Sequence, residues 1–328
     1  MNVTDVLPRD AIPSIDDPTY ESVAEYDGDD ADEVVVVDGD PARAYPVRYL
    51  HYHEICNATV DDEPVAVTWC PLCGSAVVYD RRVDAGDGER LLEFGVSGKL
   101  ADDDLVMYDR ETESEWKQSL GVAISGALEG TELTVLPAAM TTVDRYRVDH
   151  PEGEVLAAPG GESEAASDTD DPEPIDYDDA PYESYFEMDG FGLGAHRSTG
   201  EGRDWERTDL DPKTVVLGVE VDDDALGFPV PRVEANGSVA HATVGDQAVV
   251  AFATPDGVHA FENPGFEFER TAEPGTYTAD GARWDGANGR SDDHDDADVR
   301  TLERVPARRL FAFAWQDDHG PDAFWSTD

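Results

Sequence analysis

The same series of apolar runs and turns occurs twice in this chain, and that repeat limits its folds more than any other feature. Asn57-Ala-Thr-Val-Asp-Asp matches His241-Ala-Thr-Val-Gly-Asp without a gap, and Tyr45-Pro46 has its counterpart in Phe228-Pro229. Because order is kept over most of each half, we predict an internal duplication. The expected parts are a first module over residues 1–158, an acidic linker and aromatic connector over 159–205, and a second, degenerate module over 206–328.

Short β-branched or aromatic runs bounded by Gly, Pro or Asp predict strands in both halves. The predicted strands are Val34–Val37, Val65–Trp69, Ala76–Tyr79, Leu91–Val96, Leu105–Tyr108, Thr214–Val221, Ala248–Phe252, Val258–Phe261 and Gly275–Thr278. One short helix is expected directly after Pro46, where apolar residues recur at helical spacing. The predicted fold class is therefore mainly β, a β-rich α+β fold with few short helices.

The charge balance excludes several classes of partner. The 328 residues include 75 Asp and Glu against 23 Lys and Arg, a net charge of −52. Such a chain repels nucleic acid and anionic membrane surfaces. The excess of carboxylates resembles the surfaces of halophilic proteins, in which concentrated salt screens self-repulsion. The sequence has no apolar run long enough for a transmembrane helix and no visible signal peptide, so we expect a cytoplasmic protein. It does not indicate a partner.

The strongest chemical signal is a cluster of Cys and His residues with the spacing H-x2-C-x13-C-x2-C, formed by His53, Cys56, Cys70 and Cys73. Cys70-Pro-Leu-Cys-Gly74 resembles the knuckle of a zinc ribbon, and thiolate and imidazole groups are the usual ligands of zinc. Copper(I) accepts the same soft ligands. We therefore predict a zinc or copper site formed by His53, Cys70 and Cys73, with Cys56 and His51 as additional candidate ligands. If the helix after Pro46 reaches Cys56, His53 and Cys56 share one helix face.

Two alternatives remain open at this stage. Cys70 and Cys73 could form a redox pair or serve a metal-assisted enzyme, with Glu54 or Asp109 as proton carrier. A thioredoxin-like pair requires a helix after the first Cys, however, and the residues after Gly74 indicate a strand. In the third reading, the protein is a binding module and the cysteines are inert small apolar residues in the core. The second copy has Thr254 and Gly257 in place of Cys70 and Cys73, which favours a functional site in the first module only.

A second dense group of polar residues supplies candidate catalytic side chains. Ser97, Asp109, Arg110 and Gln118 could line a pocket over the cysteines. The competing interpretation is structural, because Asp109 and Arg110 followed by Thr112 and Ser114 are typical of a β-turn with side chains bonded to the backbone.

Taken together, these motifs closely resemble the domain-of-unknown-function family 3179 of bacteria and archaea. The resemblance rests on Tyr45-Pro46, His53-Glu54, Cys70-Pro-Leu-Cys-Gly74, Phe94-Gly-Val-Ser-Gly98 and Tyr108-Asp-Arg110 in that order, and it suggests a haloarchaeal member. Cys56 and His51 depart from the family pattern, in which an aliphatic residue and Asn are usual. The resemblance therefore implies a common set of His53, Cys70 and Cys73, and it implies no established activity.

Overall fold

The structure is a computed structural model that describes residues 1–86, 88–167, 169, 171–197, 203–292 and 299–327. In chain order, the first 158 residues contain β1 (Val3–Asp5), β2 (Tyr20–Ser22), β3 (Glu33–Val37), β4 (Arg43–Pro46), α1 (Val47–His53), β5 (Ile55–Val60), β6 (Glu63–Cys70), β7 (Ser75–Asp80), β8 (Arg82–Asp84), β9 (Glu89–Leu91), β10 (Phe94–Ala101), β11 (Asp104–Asp109), β12 (Glu115–Lys117), β13 (Val122–Ser125), β14 (Ala139–Thr142), α2 (Val143–Asp149) and β15 (Glu154–Leu156).

The connecting segment and the second half continue the same style of short elements. The connector contains β16 (Glu162–Ser163), a 3-10 turn (Glu164–Ala166), β17 (Glu173–Pro174), α3 (Glu183–Glu187) and α4 (Gly192–His196). The second half contains β18 (Val215–Val221), β19 (Asp224–Pro229), α5 (Val230–Ala235), β20 (Val239–Val244), β21 (Gln247–Thr254), β22 (Gly257–Glu262), β23 (Glu269–Arg270), β24 (Thr276–Ala279), β25 (Ala282–Asp285), β26 (Ser291–Asp292), β27 (Arg308–Phe311) and α6 (Ala312–His319). The prediction of a mainly β fold with few short helices is confirmed, and so is the helix after Pro46.

One order of elements occurs in both halves. β3-β4-α1-β5-β6-β7 in the first half has the same sequence of strands and helix as β18-β19-α5-β20-β21-β22 in the second. In each half a later strand, β14 or β27, pairs antiparallel with the first strand of the series and leads directly into a helix. The shared order fits two similar modules, while common ancestry itself stays a prediction.

The two halves are joined through their sheets. β27 of the second half pairs with β7 of the first through Arg309 and Ala76, giving a six-stranded sheet in the order β19-β18-β27-β7-β6-β5. β14 of the first half lies beside β22 of the second. Strand β6 is buried along most of its length. Burial on both faces explains why its sequence is a nearly continuous apolar run without alternation.

The sheet that carries the cysteines buries one of its faces in a core drawn from both halves. Cys70 and Cys73 lie in the same apolar cluster as Phe311, Phe313 and Trp315 from β27 and α6. The backbone N–H of Phe311 also donates to the Cys73 carbonyl at 2.8 Å. The second half therefore forms part of the wall behind the cysteines. Among the described residues, no helix is long and apolar enough to cross a membrane.

Candidate metal centre and adjacent cavity

A tight turn between β6 and β7 brings Cys70 and Cys73 together. Cys70 ends β6 and pairs with Ser75, the first residue of β7. Gly74 closes the turn with a φ of +54°, and a Cβ at this position would lie 2.7 Å from the ring of Phe311. Glycine is required here because it alone adopts this backbone region freely and leaves room for the ring. Both cysteines are buried, with exposures of 1% and 0%. A strand follows the turn, as the sequence predicts, and not the helix that a thioredoxin-like pair needs.

Asp104 completes a group of three potential ligands. The hairpin between β10 and β11 turns at Asp102 and Asp103, both with positive φ, and places Asp104 at the start of β11. One ligand atom from each of Cys70, Cys73 and Asp104 lies within 4.8 Å of the others. The Cys73 thiol donates to the Asp103 carbonyl at 3.4 Å. These three side chains are the set that the structure brings together.

The carboxylate of Asp104 is only partly satisfied. Its Oδ2 accepts from the backbone N–H of Ser119 at 2.8 Å, while its Oδ1 is buried without a partner among the described residues. A buried oxygen with no partner is costly and calls for an explanation such as a bound ion. Burial raises the pKa of Asp104 to about 6, and the opposing charge of Lys117 limits the rise. Lys117 itself is paired with Asp318 of α6 at 2.5 Å.

The two thiols are protonated when no cation is present. Burial raises the pKa of Cys70 and, more strongly, that of Cys73. The nearby carboxyl of Asp104 raises both further, since a second negative charge in a poorly solvated place is unfavourable. Lys117 acts in the opposite direction on Cys73. The site therefore holds a neutral dithiol that a soft cation would have to deprotonate.

A cavity of about 520 Å³ lies directly beside the cluster, and Cys70 and Glu54 form part of its wall. Glu54 follows α1 with a φ of 57° and is 8% exposed. Burial, together with the charges of Glu164 and Asp104, raises the pKa of the Glu54 carboxyl to about 8. A neutral carboxylic acid therefore faces this cavity near neutral pH.

The connector supplies another part of the wall of this cavity. Tyr182 and His196 line it, and their rings stack at a centroid distance of 5.2 Å. The hydroxyl of Tyr185 donates to the Leu72 carbonyl at 2.7 Å, which ties the connector to the cysteine turn. Parts of the segment predicted as an acidic linker also pack closely, since Ser163 Oγ donates to the Tyr52 carbonyl at 2.8 Å. Acidic composition hid these contacts, because the packed residues are interspersed with exposed Asp and Glu.

His53 is not brought to the sulfurs. Its Nδ1 lies 2.8 Å from the Pro13 carbonyl and its Nε2 lies 2.7 Å from the Tyr177 hydroxyl, so both ring nitrogens are engaged elsewhere. His51 accepts a hydrogen bond from Trp69 Nε1 at 3.2 Å. Burial lowers the pKa of His51 to about 4, which keeps its ring neutral. The two histidines fix α1 against its surroundings.

Cys56 is separated from the other cysteines by the sheet itself. The helix ends at His53, so the expected helical spacing between His53 and Cys56 does not occur, and Cys56 lies on β5. Cys56 is paired with Val67, three residues before Cys70. Because side chains alternate along a strand, Cys56 and Cys70 point to opposite faces. Cys56 accordingly belongs to a different apolar cluster.

Asp109 and Arg110 do not line the cavity. Asp109 accepts hydrogen bonds from the backbone N–H of Thr112 at 2.5 Å and from Trp116 Nε1 at 2.9 Å. This is the backbone-bonded turn that the sequence offered as the structural alternative. Arg110 forms an ion pair with Asp16 at 3.0 Å. Neither side chain is placed to act on a ligand beside Cys70.

Ser97 and Gln118 also point into packed structure. Ser97 Oγ donates to the Val106 carbonyl at 2.5 Å, across an irregularity in the β10–β11 pairing. Gln118 Nε2 donates to Thr68 Oγ1 at 2.8 Å and to the Ser75 carbonyl at 3.3 Å. Gln118 therefore supports the cysteine hairpin from behind and does not face the cavity.

Asp104 and Tyr182 are the residues that sequence reasoning missed. Asp104 lies in the run Asp102-Asp-Asp, which looks like an ordinary acidic turn among 75 acidic residues. No local signal sets it apart, because β3 and β6 also begin with an acidic residue, Glu33 or Glu63, and both of these are exposed.

These features define the class of the chain: a β-rich protein with a buried dithiol–carboxylate cluster beside a cavity of about 520 Å³. The chain belongs to the DUF3179 family, described as proteins of unknown function, whose family model matches residues 9–323. This match confirms the family that the sequence motifs predicted. No curated protein and no solved structure matches the chain.

Proposed function

We propose that this protein binds a zinc ion through the thiolates of Cys70 and Cys73 and the carboxylate of Asp104. The observation that carries the proposal is the buried Oδ1 of Asp104, which has no partner among the described residues and lies beside two buried sulfurs. A cation at their centre would satisfy the oxygen and stabilise the thiolates that burial otherwise disfavours. Zinc with three protein ligands keeps a further coordination position, which is the arrangement of catalytic and ligand-binding sites.

The donor set favours zinc over copper. Two sulfurs alone would suit copper(I), whereas a carboxylate oxygen is a hard ligand that zinc accepts and copper(I) does not prefer. Cys70 forms part of the wall of the adjacent cavity, so a small ligand held in that cavity would lie beside the centre. Glu54 on the same wall could donate or accept a proton there, because its raised pKa lies near neutral pH.

A thiol-redox protein is the second candidate, and it is favoured by the proximity of the Cys70 and Cys73 sulfurs, which lie within 4.8 Å of each other. Its weakness is electrostatic. The attacking species in thiol exchange is the thiolate, and here burial raises both pKa values and so suppresses it. Reactive cysteines normally occupy electropositive, partly exposed positions.

Zinc titration against a chromophoric chelator tests the proposal, with molar KCl present to suppress weak binding by surface carboxylates. The wild type should bind one equivalent. Cys73→Ala and Asp104→Asn should each weaken binding about tenfold or more, since each removes a ligand. Cys56→Ala is the matched control, because it removes an equally buried thiol on the other face of the sheet, and it should bind zinc as the wild type does.

Four outcomes would reject zinc binding at this site. An equal loss in Cys56→Ala would show that the effect comes from destabilised packing. Unchanged affinity in Cys73→Ala would exclude the thiol as a ligand. A wild type that binds no zinc but forms a reversible Cys70–Cys73 disulfide would establish the redox alternative, and one that does neither would indicate inert cysteines.

A further inference from the structure

A second cavity, of about 260 Å³, lies between the two halves and is unrelated to the cysteine cluster. The first half contributes β14 and the end of α2, and the second contributes β22 and the segments on either side of β26. The polar side chains used below are those of Thr141, His150, His259, Asn288, Arg290 and Arg304, all of which line it.

Two arginines in this cavity have no acidic partner among the described residues. Arg304 donates from Nη2 to the Ala287 carbonyl at 2.7 Å and lies with its guanidinium 4.7 Å from the ring centre of Phe261. Neither Arg304 nor Arg290 forms an ion pair within the part of the chain that the structure describes, although most basic side chains of this acidic protein do. Guanidinium groups that form no ion pair with any described residue are notable here, because carboxylates outnumber basic residues by 75 to 23.

The acidic residues of the same cavity are already engaged. Asp149 forms an ion pair with Arg145 at 2.7 Å and accepts from Asn288 Nδ2 at 2.9 Å. Asp38 lies 3.6 Å from His150 Nε2 and is largely exposed. The charges of Asp38 and Asp149 act on Arg304 from a distance and partly offset the burial that lowers its pKa. Neither carboxylate forms an ion pair with Arg304 or Arg290 among the described residues.

Two buried polar groups on the cavity wall also lack partners among the described residues. His259 is 1% exposed, and its Nδ1 lies 3.4 Å from Arg304 Nη1. A ring nitrogen that faces a guanidinium donor must accept, so the hydrogen of His259 is on Nε2, where it has no acceptor. Thr141 Oγ1 is likewise buried and unpartnered. Unsatisfied buried polar groups beside guanidinium groups that form no ion pair among the described residues are the opposite of what a purely structural interface needs.

We propose that this cavity binds a small oxyanion, a carboxylate or a phosphate, between the two halves. Guanidinium groups match the geometry of both anions and bind them through paired hydrogen bonds. The volume lies below that of pockets for drug-sized molecules, so the anion is small. Since both halves line the cavity, the bound anion also stabilises their association by mass action.

Calorimetric titration of the wild type with inorganic phosphate and, separately, with malonate tests the proposal in a constant background of molar KCl. At least one of the two anions should bind saturably and raise the melting temperature. Comparison of the two titrations shows whether the site prefers a phosphate or a carboxylate. Arg304→Gln should weaken that binding about tenfold or more, since it removes a charge-assisted hydrogen bond.

Two further variants keep the test decisive. Arg290→Gln changes an exposed side chain, so it should fold normally and still weaken binding several-fold. Arg270→Gln is the matched control, because Arg270 is exposed, has no ion pair among the described residues and lies outside the cavity. The proposal is overturned if neither anion binds the wild type, or if both cavity variants bind as tightly as Arg270→Gln. A zinc titration that fails at the cysteines would leave this result unaffected.

Discussion

Replacing Glu54 by Gln should stabilise the metal-free protein, and the gain should grow with pH. In the folded state, burial and the nearby charges of Glu164 and Asp104 raise the pKa of Glu54 to about 8. In the unfolded chain the pKa of a glutamate is about 4.3, the value found in model peptides. Between these two values the unfolded chain releases a proton that the folded protein retains. A raised folded-state pKa thus gives stability that is present at low pH and lost as pH rises.

The magnitude follows from proton linkage. One proton difference between the states lowers the free energy of unfolding by about 1.4 kcal/mol per pH unit. At pH 7 the accumulated cost is about 4 kcal/mol, and near pH 8 it approaches about 5 kcal/mol. Gln keeps the size and polarity of a neutral carboxyl and cannot ionise. The difference between the variant and the wild type should therefore rise along this slope.

Urea unfolding at fixed KCl concentration, repeated from about pH 5 to about pH 8, measures this difference. Glu129→Gln is the control for removing one negative charge from a strongly acidic chain, because Glu129 lies exposed on the surface. The reasoning is refuted if the Glu54→Gln difference stays flat with pH, or if the variant is less stable than the wild type near pH 8.

Three shorter predictions concern the metal, the turn and the salt. Zinc affinity, measured by chelator competition at several pH values, should rise up to about a hundredfold per pH unit above about pH 6, because two thiol protons leave on binding. Gly74→Ala should lower the free energy of unfolding in urea by about 2 kcal/mol, since φ at this residue is +54° and the new Cβ meets Phe311. The melting temperature followed by circular dichroism should be higher in molar KCl than in dilute buffer, because salt screens a charge of −52; equal values would contradict the halophilic interpretation.

The strands and the helix could be predicted because local chemistry decides them. Val65–Trp69 and Ala76–Tyr79 are β-branched or aromatic runs on either side of a Pro and Gly turn, and they form β6 and β7. Pro46 could be placed before a helix because proline suits the first turn and not the interior. Such signals need only neighbouring residues, so a single sequence contains them.

The site could be predicted only in part, because strand register decides which side chains meet. Asp61-Asp62 forms a two-residue turn that pairs Val60 with Glu63, and this pairing fixes Cys56 opposite Val67. A two-residue hairpin turn therefore already implied that Cys56 and Cys70 point to opposite faces. The spacing of the cysteines along the chain suggested a shared ligand set, but spacing alone ignores the alternation of side chains.

Contacts from distant segments could not be predicted at all. Tyr177 takes up one ring nitrogen of His53 from 124 residues further along the chain. Asp104 reaches the cysteines through the β10–β11 hairpin, and Asp318 holds Lys117 from the far end of the second half. These placements depend on how the sheets pack, and no short-range pattern encodes them.

X-ray absorption spectroscopy at the zinc edge tests the central proposal most directly. The zinc-loaded wild type should give two sulfur ligands at about 2.3 Å and oxygen or nitrogen ligands at about 2.0–2.2 Å, the distances of a mixed thiolate and carboxylate site. Cys73→Ala should lose one sulfur from this shell, whereas Cys56→Ala should leave it unchanged. A shell of oxygen and nitrogen alone in the wild type would contradict a zinc centre at Cys70, Cys73 and Asp104.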